Sequence, residues 1–332
     1  MMRCRTIWAI PALAVLAVAL SSISSTILAQ TFPSKPVRII VTWPPGGSND
    51  VVARVMAHRL TETLGQTFIV ENRPGATGTI GSELVANSPR DGYTVMVNSA
   101  THVANAHIYK KLPYDTMKDF IGVLPLARQV GMLVVHPSLP VKSVKDLIAL
   151  ARSRPNDIAW ASTGTGSYTW VTMVQLLQMT GTKMLEVPYK GGGPAVIGLM
   201  AGETQVFFVG IGSVAAALKA KRLRPLAVAS SERLEAFPDI PTVAETVPGY
   251  ELTAWIGSFV AAGTPRPIVE KLNAEFKKAL QHPDVTKILG AQALDPMPMT
   301  VDEFAARLKS DYDKYERLIK STGGRAGGGR AG

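Results

Sequence analysis

Residues 37–65 read "VRIIVTWPPGGSNDVVARVMAHRLTETLG". An apolar run is followed by two prolines and two glycines, then by apolar residues at helical spacing. The run predicts a buried strand over 37–43. The spacing predicts a helix capped by Ser48 or Asn49 and stopped by a left-handed Gly65. A plain connector needs only a turn. This one is built to leave backbone N–H groups free. A helix start carries unpaired donors and about half a positive charge, and glycine lets an anion approach the main chain closely.

The same alternation continues along the chain. Further strand-like runs lie at 67–72, 93–99, 131–137, 157–163, 183–189, 204–210 and 224–230, with helical patterns between them, and Gly181 and Gly202 stand where helices should stop. Near-continuous apolar strands alternating with helices predict an α/β protein with mostly parallel, doubly wound sheet. Eight strands and a helical C-terminal third exceed one compact sheet, so the chain is read as two lobes. The first crossover is expected near 124–132 and the return near 247–263. That puts residues 30–128 and 253–322 in one lobe and 129–252 in the other, a hinge of two strands that lets the lobes close on a ligand.

The 332 residues suffice for two domains, and 46% hydrophobic with 18% charged is an ordinary globular balance. Residues 1–29 read as a leader: Arg3 and Arg5, the apolar "WAIPALAVLAVAL", then "STILA" suited to cleavage after Ala29. A retained anchor is the alternative. Cys4, the only cysteine, lies in that leader, so disulfides and thiolate metal sites are excluded after cleavage. The net charge of +10 falls to +8 without Arg3 and Arg5 and favours anionic partners. The basic residues form no run of five and have little aromatic interleaving, which argues against nucleic acid. Residues 323–332, Gly- and Arg-rich, read as a disordered tail.

Two more loops share the opening pattern of strand, glycines and helix: "STGTGSYTW" (162–170) and "YKGGGPAV" (189–196). One such turn alone is ordinary α/β architecture. Three in a two-lobed chain, beyond the carboxyl ends of strands, suit a carboxylate or phosphate. None matches a nucleotide fingerprint.

With these features, the stretches "FPSKPVRIIVTWPPGGSND", "ENRPGATGTIG", "KLPYDTMKDFIGV", "STGTGS", "VPYKGGGPAV" and "TPRPIVEKLNAEFKKAL" closely resemble the Bug receptors. These are the extracytoplasmic solute-binding proteins of tripartite tricarboxylate transporters. The resemblance runs from about residue 32 to 320. It implies a type II periplasmic-binding-protein fold, two lobes closing on a small organic anion, usually a carboxylate. It also implies a periplasmic location, inner-membrane transporter subunits as partners, and neither cofactor nor metal; a monomer is expected. Carried onto this chain, the first ligand loop is Trp43, Pro44, Pro45, Gly46, Gly47, Ser48 and Asp50. The second is Thr163, Gly164, Thr165, Gly166 and Ser167. Ser99, Thr101 and His102 take a third position, and Tyr189 with Gly191, Gly192 and Gly193 a fourth.

Two departures bear on the ligand. Many members have a histidine where this chain has Trp170, and an aspartate where it has Val209. Losing that aspartate argues against an amino acid. Trp43 and Trp170 could form two flat walls, which would suit an aromatic or otherwise apolar-bodied carboxylate; the alternative is that Trp170 is core on its helix.

A secreted hydrolase is the competing class. The histidines are His58, His102, His107, His136 and His282. No H-E-x-x-H or G-x-S-x-G occurs. His102 near Ser99 could in principle be a base, but sequence adjacency is poor support for a triad. A third reading keeps the binding fold and gives its output to a two-component sensor.

Overall fold

The computed structural model describes residues 32–321; the expected leader at 1–29 and tail at 323–332 lie outside the described residues. The chain begins with β1 (Val37–Val41), α1 (Ser48–Leu64), β2 (Phe68–Asn72), α2 (Thr79–Ala86), β3 (Thr94–Ser99) and α3 (Thr101–Ile108). Then come β4 (Phe120–Val135), α4 (Val144–Ser153), β5 (Ala159–Ser162), α5 (Tyr168–Thr180), β6 (Leu185–Pro188), α6 (Gly192–Ala201), β7 (Val206–Gly210), α7 (Ile211–Lys219) and β8 (Arg224–Val228). The last part is β9 (Thr253–Ala261), α8 (Arg266–Leu280), α9 (Pro283–Ala291), β10 (Leu294–Pro296) and α10 (Val301–Ser321). α1 buries Val52, Ala53, Met56, Ala57 and Leu60, one helical face, while Arg54 and His58 stay outside. Gly65, Gly181 and Gly202 end α1, α5 and α6 in the left-handed region, as their positions in the sequence predict.

The strand order is β2-β1-β3-β9-β4-β7-β5-β6, with β8 and β10 also paired to β4. β1 runs parallel to β2 and β3, and β5 parallel to β6 and β7. Between these groups the pairing is antiparallel: β3 with β9, β9 with β4, β4 with β7. The mostly parallel sheet expected from the alternation is therefore mixed. The reason is geometric. A strand that crosses from one lobe to the other and a second that returns must run opposite ways.

β4 is the first crossing. Its residues Phe120–Val130 pair with β9, and Gly131–Val135 pair with β7. Only the second half was legible as a strand, because Pro125 and the glycines make the first half read as a connector. The ladder to β9 shifts register between Gly122 and Leu124 and again between Pro125 and Ala127. Bulges of this kind accommodate a proline inside a strand. Gly122 is required for another reason: a Cβ there would lie 2.7 Å from Phe304 Cδ1, where α10 crosses the strand.

Strand direction then places the site. β4 leads from the first lobe into the second. By the pairings above, β1 and β3 point the same way, and β5 and β7 point back. The carboxyl ends of both groups thus face each other across the gap between lobes, and so do the helices that start there. One apolar cluster is continuous behind both lobes, from Met96 and Phe259 through Trp255 to Tyr168, Tyr250 and Phe208. Separate clusters hold α1, α8 and α9 on one lobe and α6 and α7 on the other. Among the described residues no helix is long and apolar enough to cross a membrane.

Within the shared cluster, buried Trp255 donates its indole N–H to Asp311 Oδ2 at 2.7 Å, and Arg307 pairs with the same oxygen at 2.7 Å. Asp311→Ala orphans the buried indole donor. Unfolding free energy in a urea titration should drop by about 1–3 kcal/mol, with Asp311→Asn recovering part of it.

Candidate ligand-binding site

Five helices open onto the gap between the lobes, and the first residues of all five line one cavity. α1 contributes Ser48 and Asn49, α3 Thr101, α5 Tyr168 and Thr169, α6 Gly192, Gly193 and Pro194, and α7 Ser213 with Gly210 just before it. Trp43, Pro44, Pro45 and Gly47 from the loop after β1, Ser99, Thr163 and Val209 at strand ends, and Gln129 on the crossing strand complete the wall. The cavity measures about 90 Å³, the space of about six to nine waters. Among the described residues, no Asp, Glu, Lys, Arg or His lines it.

The helix starts themselves supply the electrostatics. α1 is preceded by Gly47 in an extended conformation (φ −83°, ψ 170°), so neither Ser48 nor Asn49 is the cap that the sequence suggests. The starts of α1, α3, α6 and α7 have no side-chain cap; only α5 has one, Ser167, whose Oγ accepts from the Trp170 N–H. First-turn N–H groups lack intrahelical partners, and buried uncapped starts call for an outside acceptor. Each start also carries about half a positive charge. Facing one another around a small space, they favour a compact anion with no basic side chain present.

The structure brings together most of the residues expected from the sequence. Trp43, Pro44, Pro45, Gly47, Ser48, Ser99, Thr101, Thr163, Gly192, Gly193 and Val209 all lie on this wall. Trp43 is held by its indole N–H, which donates to Asn98 Oδ1 at 3.1 Å.

Others it places elsewhere. Asp50 is buried beneath the first loop and accepts from the Gly46 N–H at 3.0 Å, Asn72 Nδ2 at 2.9 Å and Arg54 Nε at 3.0 Å. Burial alone would raise its pKa, but the Arg54 guanidinium and the two amide donors outweigh it and hold the carboxyl below its ordinary value. Asp50 and Gly46 therefore shape the loop from behind. His102 is 1% exposed among Tyr114, Phe120 and Phe259, with neither ring nitrogen partnered. As the second residue of α3 it points into the core while Thr101 faces the cavity. Trp170 is core on its helix, its Nε1 donating to Glu186 Oε2 at 3.1 Å, so the two-tryptophan sandwich does not form. Tyr189 turns away and donates to Glu203 Oε2 at 3.1 Å. Gly164, Thr165, Gly166 and Ser167 stand outside the cavity wall, and Gly191 packs beside Pro44, whose Cγ a Cβ would approach to 3.0 Å.

Sequence reading missed Asn49, Gln129, Tyr168, Thr169, Pro194, Gly210 and Ser213. Six of these are first-turn or pre-helix positions, which a rule taking the whole first turn of each helix would have found. Gln129 had no signal, since it sits on the strand half that read as connector; its Nε2 donates to Ser48 Oγ at 3.2 Å.

Residues 52–323 match the model of the "Tripartite tricarboxylate transporter family receptor". The chain belongs to that family. The receptor is 33% identical to Protein BugT of Bordetella pertussis over 310 residues, covering 92% of this chain and 95% of that one. Its fold matches an R. palustris protein in its structure with adipate (TM-score 0.85, 33% identity, 88% of this chain and 98% of the other). It also matches MatC from Rhodopseudomonas palustris with bound malate (TM-score 0.82, 30% identity, 87% and 100%).

Gly166 has a role between the lobes of this receptor. Its φ is +79°, and a Cβ there would collide with Ile108 Cδ1 at the end of α3 on the opposite lobe. Gly166→Val should hold the lobes apart, seen as a larger radius of gyration in small-angle scattering. Gly166→Ala combined with Ile108→Ala should return it toward the native value.

Burial pushes the His102 imidazole down to about 3, against about 6.5 when unfolded. Between those values the unfolded chain binds a proton that the folded chain refuses. Stability is therefore full above about pH 6.5 and falls as pH drops toward 3. His102→Phe should flatten the acid limb of a stability–pH curve in that window.

Proposed function

We propose that this protein captures a small organic carboxylate between its lobes in the periplasm and delivers it to the membrane subunits of a tripartite tricarboxylate-type transporter. The observation that carries the reading is the meeting of five helix starts, four without side-chain caps, around a cavity that no charged side chain among the described residues lines. A carboxylate accepts several N–H bonds at once, and oriented main-chain donors replace its lost hydration. The relatives solved with adipate and malate support the ligand class, and the family supports the transporter. The leader-like residues 1–29 and the family support the periplasm.

Binding proceeds as a population shift. The acid meets the helix starts of one lobe, α1 and α3. Closure then adds those of α5, α6 and α7, and these extra contacts stabilise the closed state. A hydrolase reading loses its base, because His102 is sealed in the core. Wall residues Trp43, Pro44, Pro45, Pro194 and Val209 offer apolar contact to the body of the ligand, which a cavity of this size limits to a small acid.

The test is a thermal-shift and calorimetric screen of carboxylates with up to about ten non-hydrogen atoms, set against neutral sugars and amines. One acid at 100 times its Kd should add about 2.7 kcal/mol of stability and raise Tm, whereas sugars and amines do neither. Stabilisation by amines or sugars, with every acid silent, would refute the reading.

A further inference from the structure

The cavity reaches the pivot of the two lobes at Gln129. This residue stands on β4 opposite Ala254 of β9 and Leu294 of β10. Two residues on, Gly131 faces Gly210, and the partner of β4 becomes β7. The Gln129 side chain lines the cavity and is 8% exposed, long and polar where the strand changes lobes. A buried amide needs partners. Its Nε2 donates to the Oγ of Ser48, the first residue of α1.

The start of α7 meets the same amide. A Cβ on Gly210 would lie 2.5 Å from Gln129 Nε2 and 3.2 Å from Ser48 Oγ. The backbone of Gly210 (φ −59°, ψ 133°) is open to any residue, so conformation does not call for glycine here. Room does: the missing side chain leaves the space that the amide fills. Ser48 opens α1 on one lobe, Gly210 leads into α7 on the other, and all three residues line the cavity. One side chain at the hinge is thus wedged between two helix starts that closure brings together.

Resting on the capture reading above, we infer that Gln129 is a positioning residue for closure: its amide is the stop that fixes how near the start of α7 comes to the start of α1. The lever is short at a hinge, so the width of one amide there becomes a large displacement at the mouth of the cleft. An acid held by donors of both lobes needs all of them within hydrogen-bond distance at once, a range of about half an ångström. A stop at the pivot sets that range before the acid arrives. Ser48 keeps the stop in place, and Gly210 is the surface that rests on it.

The experiment measures the distance between spin labels on Glu83→Cys in one lobe and Ile197→Cys in the other, both exposed positions, in the full chain carrying Cys4→Ser. Gly210→Ala should push the main distance longer. In a Gln129→Ala background the same substitution should leave the distance where Gln129→Ala alone puts it. Gln129→Met conserves volume and loses the bond to Ser48; it should broaden the distribution, and it decides the matter if Gly210→Ala does not fold. No shift in Gly210→Ala, an equal shift in both backgrounds, or an unbroadened Gln129→Met distribution overturns the inference. The acid screen decides the carboxylate reading separately: if every acid is silent, that reading falls while the distances still judge Gln129.

Discussion

Everything in this molecule hangs on the hydrogen bonding of β4. The strand is bonded along its first half to β9 and along its second to β7. That one continuous backbone makes two lobes share a sheet and sets the two parallel groups head to head. Were the lobes merely tethered by a loop, nothing would oblige the carboxyl ends of β1 and β3 to look at those of β5 and β7. Direction, once imposed by antiparallel pairing, leaves the strand-to-helix turns only the gap to enter.

The gap is where the polypeptide leaves its own donors unanswered. Capping side chains are inexpensive and common at helix starts, yet four of the five starts here go without one. Asp50, the acidic group best placed to quench the first loop, is instead turned beneath it and neutralised by Arg54. The positive potential of the cavity thus survives folding. The glycines serve this arrangement in two ways: Gly47 leaves the loop open to an approaching anion, while Gly166 leaves room for Ile108 when the lobes meet.

Much of this was legible in the sequence. The strand–glycine–helix pattern located β1, α1, α5 and α6, and eleven of the residues named from it and from the family resemblance reach one wall. The failures have particular causes. Pro125 concealed half of β4, because bulges that admit proline leave no mark in a hydrophobic pattern. His102 was carried to the cleft by the family resemblance, and Trp170 was left between cleft and core; on a helix adjacent residues point about 100° apart, and Thr101 and Thr169 hold the inward positions. α9 and β10 also went unread, being short and weakly patterned. Tertiary direction, not local propensity, decided each case.

The four uncapped starts also separate retention from choice. If the acid is held by backbone N–H groups, which every residue except proline carries, exchange of Val209, Thr163 or Ser213 would reshape the chamber and leave those donors in place. Such a scaffold can drift among metabolites by single substitutions while never ceasing to be a trap for anions. A genome could copy it many times, each copy inheriting the snare and acquiring its own quarry.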